Sequence, residues 1–345
     1  VTGSVGKTTT KDALGLALSA CGKTHASVSS FNNHWGVPLT LARMPRDTEF
    51  GVFEIGMNHP GEITPLSEMV KPHVAIVTQI AESHLGFFKS LDEIADAKAE
   101  IFTGMRPDGV AVINRDTPYF ERLADAAGAQ GLERIIGFGT QDEADVHLVT
   151  AELSSSRSRV IADVLGDEVS FELGMPGAHV VMNTLAVLAA VKVSGADLAQ
   201  AMPALTQMKP ASGRGVRHKL RAGDGWLTLI DESYNANPAS MRAALQMLQQ
   251  TSAGEGGRRI AVLGDMLELG ENASRLHEEL AQAVDAAGID AVYTCGPEMQ
   301  HLHDALPQGV AAAHAPSSAE LETSVLDAVR AGDVIMVKGS LGSRM

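Results

Sequence analysis

The first nine residues, Val1-Thr2-Gly3-Ser4-Val5-Gly6-Lys7-Thr8-Thr9, constrain the fold more than any other stretch. Glycines at 3 and 6 let backbone N–H groups close around phosphate oxygens without Cβ clashes. Lys7 can then reach the terminal phosphates, and the Thr8 hydroxyl can ligate Mg²⁺. The run from Thr9 to Ala20 reads as a helix whose N-terminus adds its positive dipole end to the same anion site. Such a loop joins a strand to a helix, so it demands an α/β sheet. The usual spacing has four residues between the two glycines, and Val1 stands where the first would be. By itself the short match also fits an ordinary turn. The strand that should feed the loop is nearly absent, and a fragment of a longer chain is the expectation.

The rest of the chain has the required rhythm. Gly51–Ile55, Val74–Thr78 and Val110–Ile113 read as buried parallel strands separated by helical stretches, a doubly wound and mostly parallel sheet. Three short strands, His147–Leu153, Arg159–Leu165 and Glu168–Leu173, predict a small antiparallel addition, and Pro176-Gly177 opens a long helix through Val193. Residues 213–225, rich in glycine and basic side chains, read as a linker. Beyond it a second, Rossmann-like α/β pattern begins, with strands at Leu227–Ile230, Arg259–Leu263, Ala291–Thr294 and Val334–Val337. The expected division is residues 1–212 as a phosphate-loop domain and 213–345 as a second domain.

Charge narrows the partners. A net charge of −15 excludes nucleic acid and anionic membrane surfaces as partners of the bulk surface, so an anionic nucleotide must be held by local donors. Cys21 and Cys295 form no framework or metal pattern, which fits a reducing cytoplasm. The apolar run Val180–Val193 is too short to span a bilayer and contains Asn183 and Lys192.

Several side chains stand where chemistry could use them. Glu54 ends an apolar strand, at the end that faces ligands in parallel sheets, and reads either as a metal ligand or as a solvated charge. His84 follows Val74–Ile80 in the same manner, with ligand and structural roles both open. Lys98 has Ile94, Ala95, Ile101 and Phe102 three and four positions away, so it projects from the buried face of its helix. It either snorkels to the edge or, with a lowered pKa, is free to form a carbamate with CO₂. His179 and Asn183 share one face near the start of the long helix. In the second lobe, Gly213-Arg214-Gly215 precedes a strand ending in Asp231 and the loop Glu232-Ser-Tyr-Asn235-Ala-Asn237-Pro238. Those amides, acid and arginine suit adenine edges, ribose hydroxyls and phosphate, but also ordinary loop and capping chemistry.

Taken in order along the chain, these pieces resemble the Mur ligase family of ATP-dependent amide ligases. The blocks Asn32-Asn33-His-Trp-Gly36-Val-Pro38, Glu54-Ile-Gly-Met-Asn-His-Pro-Gly61, Ser233–Pro238, Leu263-Gly-Asp-Met-Leu-Glu-Leu-Gly270 and Val337-Lys-Gly-Ser340 are similar to one branch. That branch adds D-alanyl-D-alanine to UDP-N-acetylmuramoyl-tripeptide (UDP-MurNAc-tripeptide) in peptidoglycan synthesis. The resemblance implies ATP and two Mg²⁺ ions: Thr8 and Glu54 at one, His84 and carbamylated Lys98 at the other. It assigns catalysis to Lys7, Lys98 and His84, and substrate binding to Asn33. It assigns the nucleotide to Gly3 through Thr9, His179, Asn183, Arg214, Asp231, Asn235 and Asn237. It further implies a cytoplasmic monomer, a missing N-terminal UDP-sugar domain, an incomplete C-terminal end and poor activity of these 345 residues alone. Val180 departs from the family pattern, which often has asparagine there. A sister ligase, a folylpolyglutamate-type enzyme and a non-ligating phosphate-loop ATPase are the alternatives.

Overall fold

The computed structural model describes residues 1–82, 85–154 and 156–345, which form two compact units. Residues 1–81 and 88–209 make the first; 82–87 and 210–345 make the second.

In the first unit, strands β1 (Thr24–Ala26) and β2 (Phe50–Val52) pair in parallel. A six-stranded sheet follows in sequence order: β3 (Val74–Val77), β4 (Val110–Asn114), β5 (Arg134–Gly139), β6 (Val146–Leu153), β7 (Ser158–Val164) and β8 (Asp167–Leu173). Pairing is parallel from β3 to β6 and antiparallel from β6 to β8, the predicted addition. Val1 and Thr2 bond on both sides. Ile55 N donates to Val1 O at 2.8 Å, and Thr2 N donates to Ile76 O at 2.8 Å. Beyond its exposed first turn, the helix Ala178–Val193 is mostly apolar because it is mostly covered. Ten of its residues are buried, and it packs on the helix Lys7–Ser19 and on the sheet. A cavity of about 670 Å³, lined among others by Val1, Leu14, Val52, Ile76 and Ala190, lies in this unit. None of residues 3–8 lines it, so it is not the phosphate site.

The second unit holds β9 (Val216–Ala222), β10 (Gly225–Glu232), β11 (Arg259–Gly264), β12 (Ala291–Cys295), β13 (Ala311–Ala315) and β14 (Val334–Lys338). The sheet order is β13-β12-β11-β14-β10-β9, parallel except for the β9–β10 hairpin. The stretch read as a linker is therefore largely strand. Residues 216–222 are polar because β9 is an edge strand with most side chains exposed, and its basic residues suit an edge. β1, β5 and β13 fall outside the sequence expectations: β1 is short and β13 Ala-rich, whereas β5 does carry strand formers in Ile135, Ile136 and Phe138. Residues 82–87 also count with the second unit: Leu85 packs on its core, and Gly86 N donates to Glu268 O at 2.8 Å.

Candidate active site

The phosphate loop is built as its glycines require. Gly3 has φ 144°, and a Cβ there would collide with Thr78 Oγ1; Gly6 has φ 87° and forms the N-cap of the helix Lys7–Ser19. Ser4 N donates to Gln79 O at 2.7 Å, and Thr78 Oγ1 donates to Val5 O at 2.6 Å, so the end of β3 fixes the loop. Lys7 Nζ donates to Gly3 O at 2.7 Å and Ser4 O at 3.3 Å, folding back over the loop it would share with a phosphate. Thr8 is buried and its Oγ1 lies 3.2 Å from Ser30 Oγ, while Thr9 is half-buried on the first helical turn. Ser4 Oγ is buried and has no partner.

Glu54 lies two residues past the end of β2, and only 1% of it is exposed. Asn32 Nδ2 donates to its Oε1 at 2.7 Å, and Ser27 Oγ accepts from its N–H at 3.1 Å. Its Oε2 has no partner. A buried carboxylate oxygen left bare carries a desolvation penalty of several kcal/mol unless a cation meets it, so the site fits a hard metal ion. Among the described residues no three His, Cys, Asp or Glu side chains cluster as a metal site. A cation here would therefore draw on Glu54, the Thr8 hydroxyl and phosphate oxygens, the sparse protein coordination typical of Mg²⁺.

Lys98, on the helix Leu91–Ala99, is 1% exposed, and Ile94, Ala95, Ile101 and Phe102 are equally buried around it. Burial, and next the Lys7 ammonium, push its pKa well below the usual lysine range; Glu100 and Glu62 oppose that only in part. Both carboxylates are engaged elsewhere. Glu100 accepts from Gly61, Ile63 and Thr64 N–H at the start of the helix Ile63–Val70, and Glu62 accepts from Asn58 N. Burial thus disfavours the ammonium form of Lys98 and favours the neutral, nucleophilic amine relative to an exposed lysine.

Asn183 reaches the loop: its carboxamide lies so close to Gly6 that a Cβ there would sit 2.8 Å from both polar atoms. His179 is exposed on the first turn of the same helix. Asn33 is committed locally, its Oδ1 accepting from Trp35 and Gly36 N–H to start the helix Gly36–Arg43. Its neighbour Asn32 instead holds Glu54, a role sequence could not assign because two adjacent asparagines look alike. His84 lies outside the described residues.

In the second unit Asp231 organises its own loop. Gly213 N donates to its Oδ2 at 3.2 Å, and Ser233 N and Oγ donate to its Oδ1. The Arg214 guanidinium stacks on the Tyr234 ring at 4.1 Å. Asn237 caps the helix Pro238–Gln250 in a capping box with Ser240, the bland reading of that residue, and Asn235 is exposed.

Two family models cover the chain: the Mur ligase middle domain over residues 1–191, and the Mur ligase, glutamate ligase domain over residues 217–341. UDP-N-acetylmuramoyl-tripeptide–D-alanyl-D-alanine ligase of Bacillus subtilis is 35% identical over 349 residues, spanning all of this chain and 73% of the relative. The enzyme of that name from Escherichia coli is 33% identical, spanning all of this chain and 74% of its own. The crystal structure of MurF from Acinetobacter baumannii superposes with a TM-score of 0.88 at 30% identity, over 99% of this chain and 73% of that one. MurF from Thermotoga maritima, solved with ADP, shares the fold at a TM-score of 0.84 and 24% identity, over 100% of this chain and 76% of its own. With both family models matched in order, and relatives this similar along its whole length, the chain belongs to the Mur ligase family.

Proposed function

We infer that the chain is an ADP-forming amide ligase that joins D-alanyl-D-alanine to UDP-N-acetylmuramoyl-tripeptide in peptidoglycan precursor synthesis. Its relatives of that name match it from end to end. The observation that carries the chemistry is the juxtaposition of three features in one unit. These are a phosphate cradle, a buried carboxylate with a bare oxygen and a buried lysine whose pKa burial lowers.

The tripeptide's terminal carboxylate oxygen attacks the γ-phosphorus of ATP, and ADP leaves. The dipeptide amine then adds to the acyl-phosphate carbonyl. The tetrahedral adduct expels phosphate, and the nitrogen loses its extra proton. Lys7 turns from the loop carbonyls to the transferring phosphoryl group, and the N–H groups of residues 3–9 hold the other phosphate oxygens. Asn183 orders the loop from behind Gly6. Thr8 and Glu54 would hold Mg²⁺, which would offset negative charge on the phosphates. The neutral amine form of Lys98, which burial favours, would react with CO₂ to give a carbamate, losing one proton and gaining two carboxylate-like oxygens. With His84 that group would hold a second Mg²⁺. Arg214, Asp231 and Asn235 would bind the nucleotide, with Asn237 holding their loop.

The reactants are small molecules, and among the described residues no helix is long and apolar enough to cross a membrane. The test is ADP release with ATP, Mg²⁺ and the tripeptide substrate, with and without D-alanyl-D-alanine, with mass analysis of the product. Release that needs both substrates and gives the pentapeptide is expected. ADP release indifferent to the dipeptide would point to another amine donor or to simple ATP hydrolysis.

A further inference from the structure

Two sequence blocks in the second unit, 263–270 and 337–340, have no part in the chemistry above. They meet at the carboxyl ends of three adjacent parallel strands. Lys338, the last residue of β14, pairs with Glu232 at the end of β10 and with Leu263 in β11. Such strand ends are where open α/β sheets bind ligands.

Lys338 is 2% exposed, one of the largest fully buried side chains in the protein. Its Nζ donates to Glu232 Oε2 at 3.3 Å and to Asn235 O at 2.9 Å. Two residues on, Ser340 continues the same pattern. Its Oγ accepts from Leu267 N at 2.9 Å and donates to Ala236 O at 3.4 Å, and its N–H donates to Asp265 O at 3.0 Å. Gly339 between them is small by necessity, since a Cβ there would come within 3.2 Å of Gly264 Cα. One tripeptide thus ties down two loops, the one after β10 and the one after β11.

A buried ammonium is a poor way to gain stability. Burial lowers the Lys338 pKa, as does Arg214 nearby, and an apolar side chain of similar size often serves the fold as well or better. What an apolar side chain cannot do is donate to Asn235 O. That bond fixes the loop carrying Tyr234, on which Arg214 stacks, while Tyr234 N donates to Gly213 O at 3.0 Å. The position of the Arg214 guanidinium therefore depends on the loop that Lys338 holds.

We propose that Lys338 is a positioning residue for the nucleotide, setting the Glu232–Asn237 loop and through it Arg214 and Asn235. This rests on the assignment of those two residues to ATP. The experiment compares Lys338→Met, Glu232→Gln/Lys338→Met, Arg214→Ala and Asn235→Ala by steady-state kinetics, thermal unfolding and amide hydrogen exchange. Lys338→Met should raise the KM for ATP at least tenfold, leave the KM for D-alanyl-D-alanine within twofold and speed exchange at Ser233 and Tyr234. The double variant leaves no half-buried carboxylate without its ammonium partner; it should regain any lost Tm without regaining the ATP KM. A KM for ATP within threefold of wild type in either Lys338 variant would overturn the proposal, as would equal losses for both substrates. If Arg214→Ala and Asn235→Ala leave the ATP KM unchanged, the nucleotide assignment itself fails. If they raise it and Lys338→Met does not, only the positioning role fails.

Discussion

Replacing Lys98 by methionine should stabilise the protein while abolishing ligation. Methionine has nearly the same length and volume, so packing against Ile94, Ala95, Ile101 and Phe102 is kept. Exchanging a buried ionisable group for an apolar one of similar size removes the cost of burying or deprotonating it and is neutral to stabilising by about 1–4 kcal/mol. Two features place Lys98 in the upper half of that range. It is 1% exposed, and the carboxylates that favour its charge, Glu100 and Glu62, are hydrogen-bonded to backbone N–H groups elsewhere. A gain of ~2–4 kcal/mol corresponds to a Tm rise of roughly 6–12 °C for a unit of this size. The pH dependence gives a second check. The folded pKa lies below the ordinary 10.5, so between the two values the unfolded chain holds a proton that the folded chain lacks. Wild-type stability therefore rises with pH through that window, and the advantage of the variant shrinks toward pH 10. Calorimetry in CO₂-depleted buffer at several pH values measures this, and added bicarbonate should stabilise only the wild type. A Lys98→Met protein with an unchanged or lower Tm at pH 7 would refute the reasoning.

Three further outcomes are expected. Glu54→Gln should lower ligation at least 100-fold, since one carboxylate oxygen is bare and the other is held by Asn32; without metal its Tm should not fall, as titration of Tm and rate with Mg²⁺ would reveal. Gly6→Ala should cost about 1–3 kcal/mol and weaken ATP binding, because φ is 87° and the new Cβ meets the Asn183 carboxamide; denaturant unfolding and nucleotide titration test both effects. Burial alone would raise the Asp333 pKa, but hydrogen bonds from Arg258 and Arg330 N lower it. Asp333 thus adds stability that is complete above the unfolded carboxylate range and lost as pH falls through its folded value. Asp333→Ala should destabilise the second unit by about 3–5 kcal/mol at pH 7, leaving Arg258 without its partner, and should flatten the acid limb of its unfolding curve.

Local chemistry is what the sequence alone could determine. The glycines at 3 and 6, the apolar neighbours of Lys98 and the short runs between 147 and 173 with their Ser-rich and Gly-Asp turns each announce their conformation, because backbone sterics and side-chain periodicity act within a few residues. The phosphate loop, the antiparallel addition and the burial of Lys98 followed from them. Polar strands on an edge did not: β9 reads as a linker until β10 pairs with it, since the hydrogen bonds that define it lie on another segment. The same limit separates Asn32 from Asn33, leaves Glu54 ambiguous until its second oxygen is seen to be bare, and conceals Lys338. Each of these depends on which distant atom stands 3 Å away. Sequence spacing governs contacts within a turn or a strand, and only the packed chain decides which polar groups are buried together and which are left to meet a ligand.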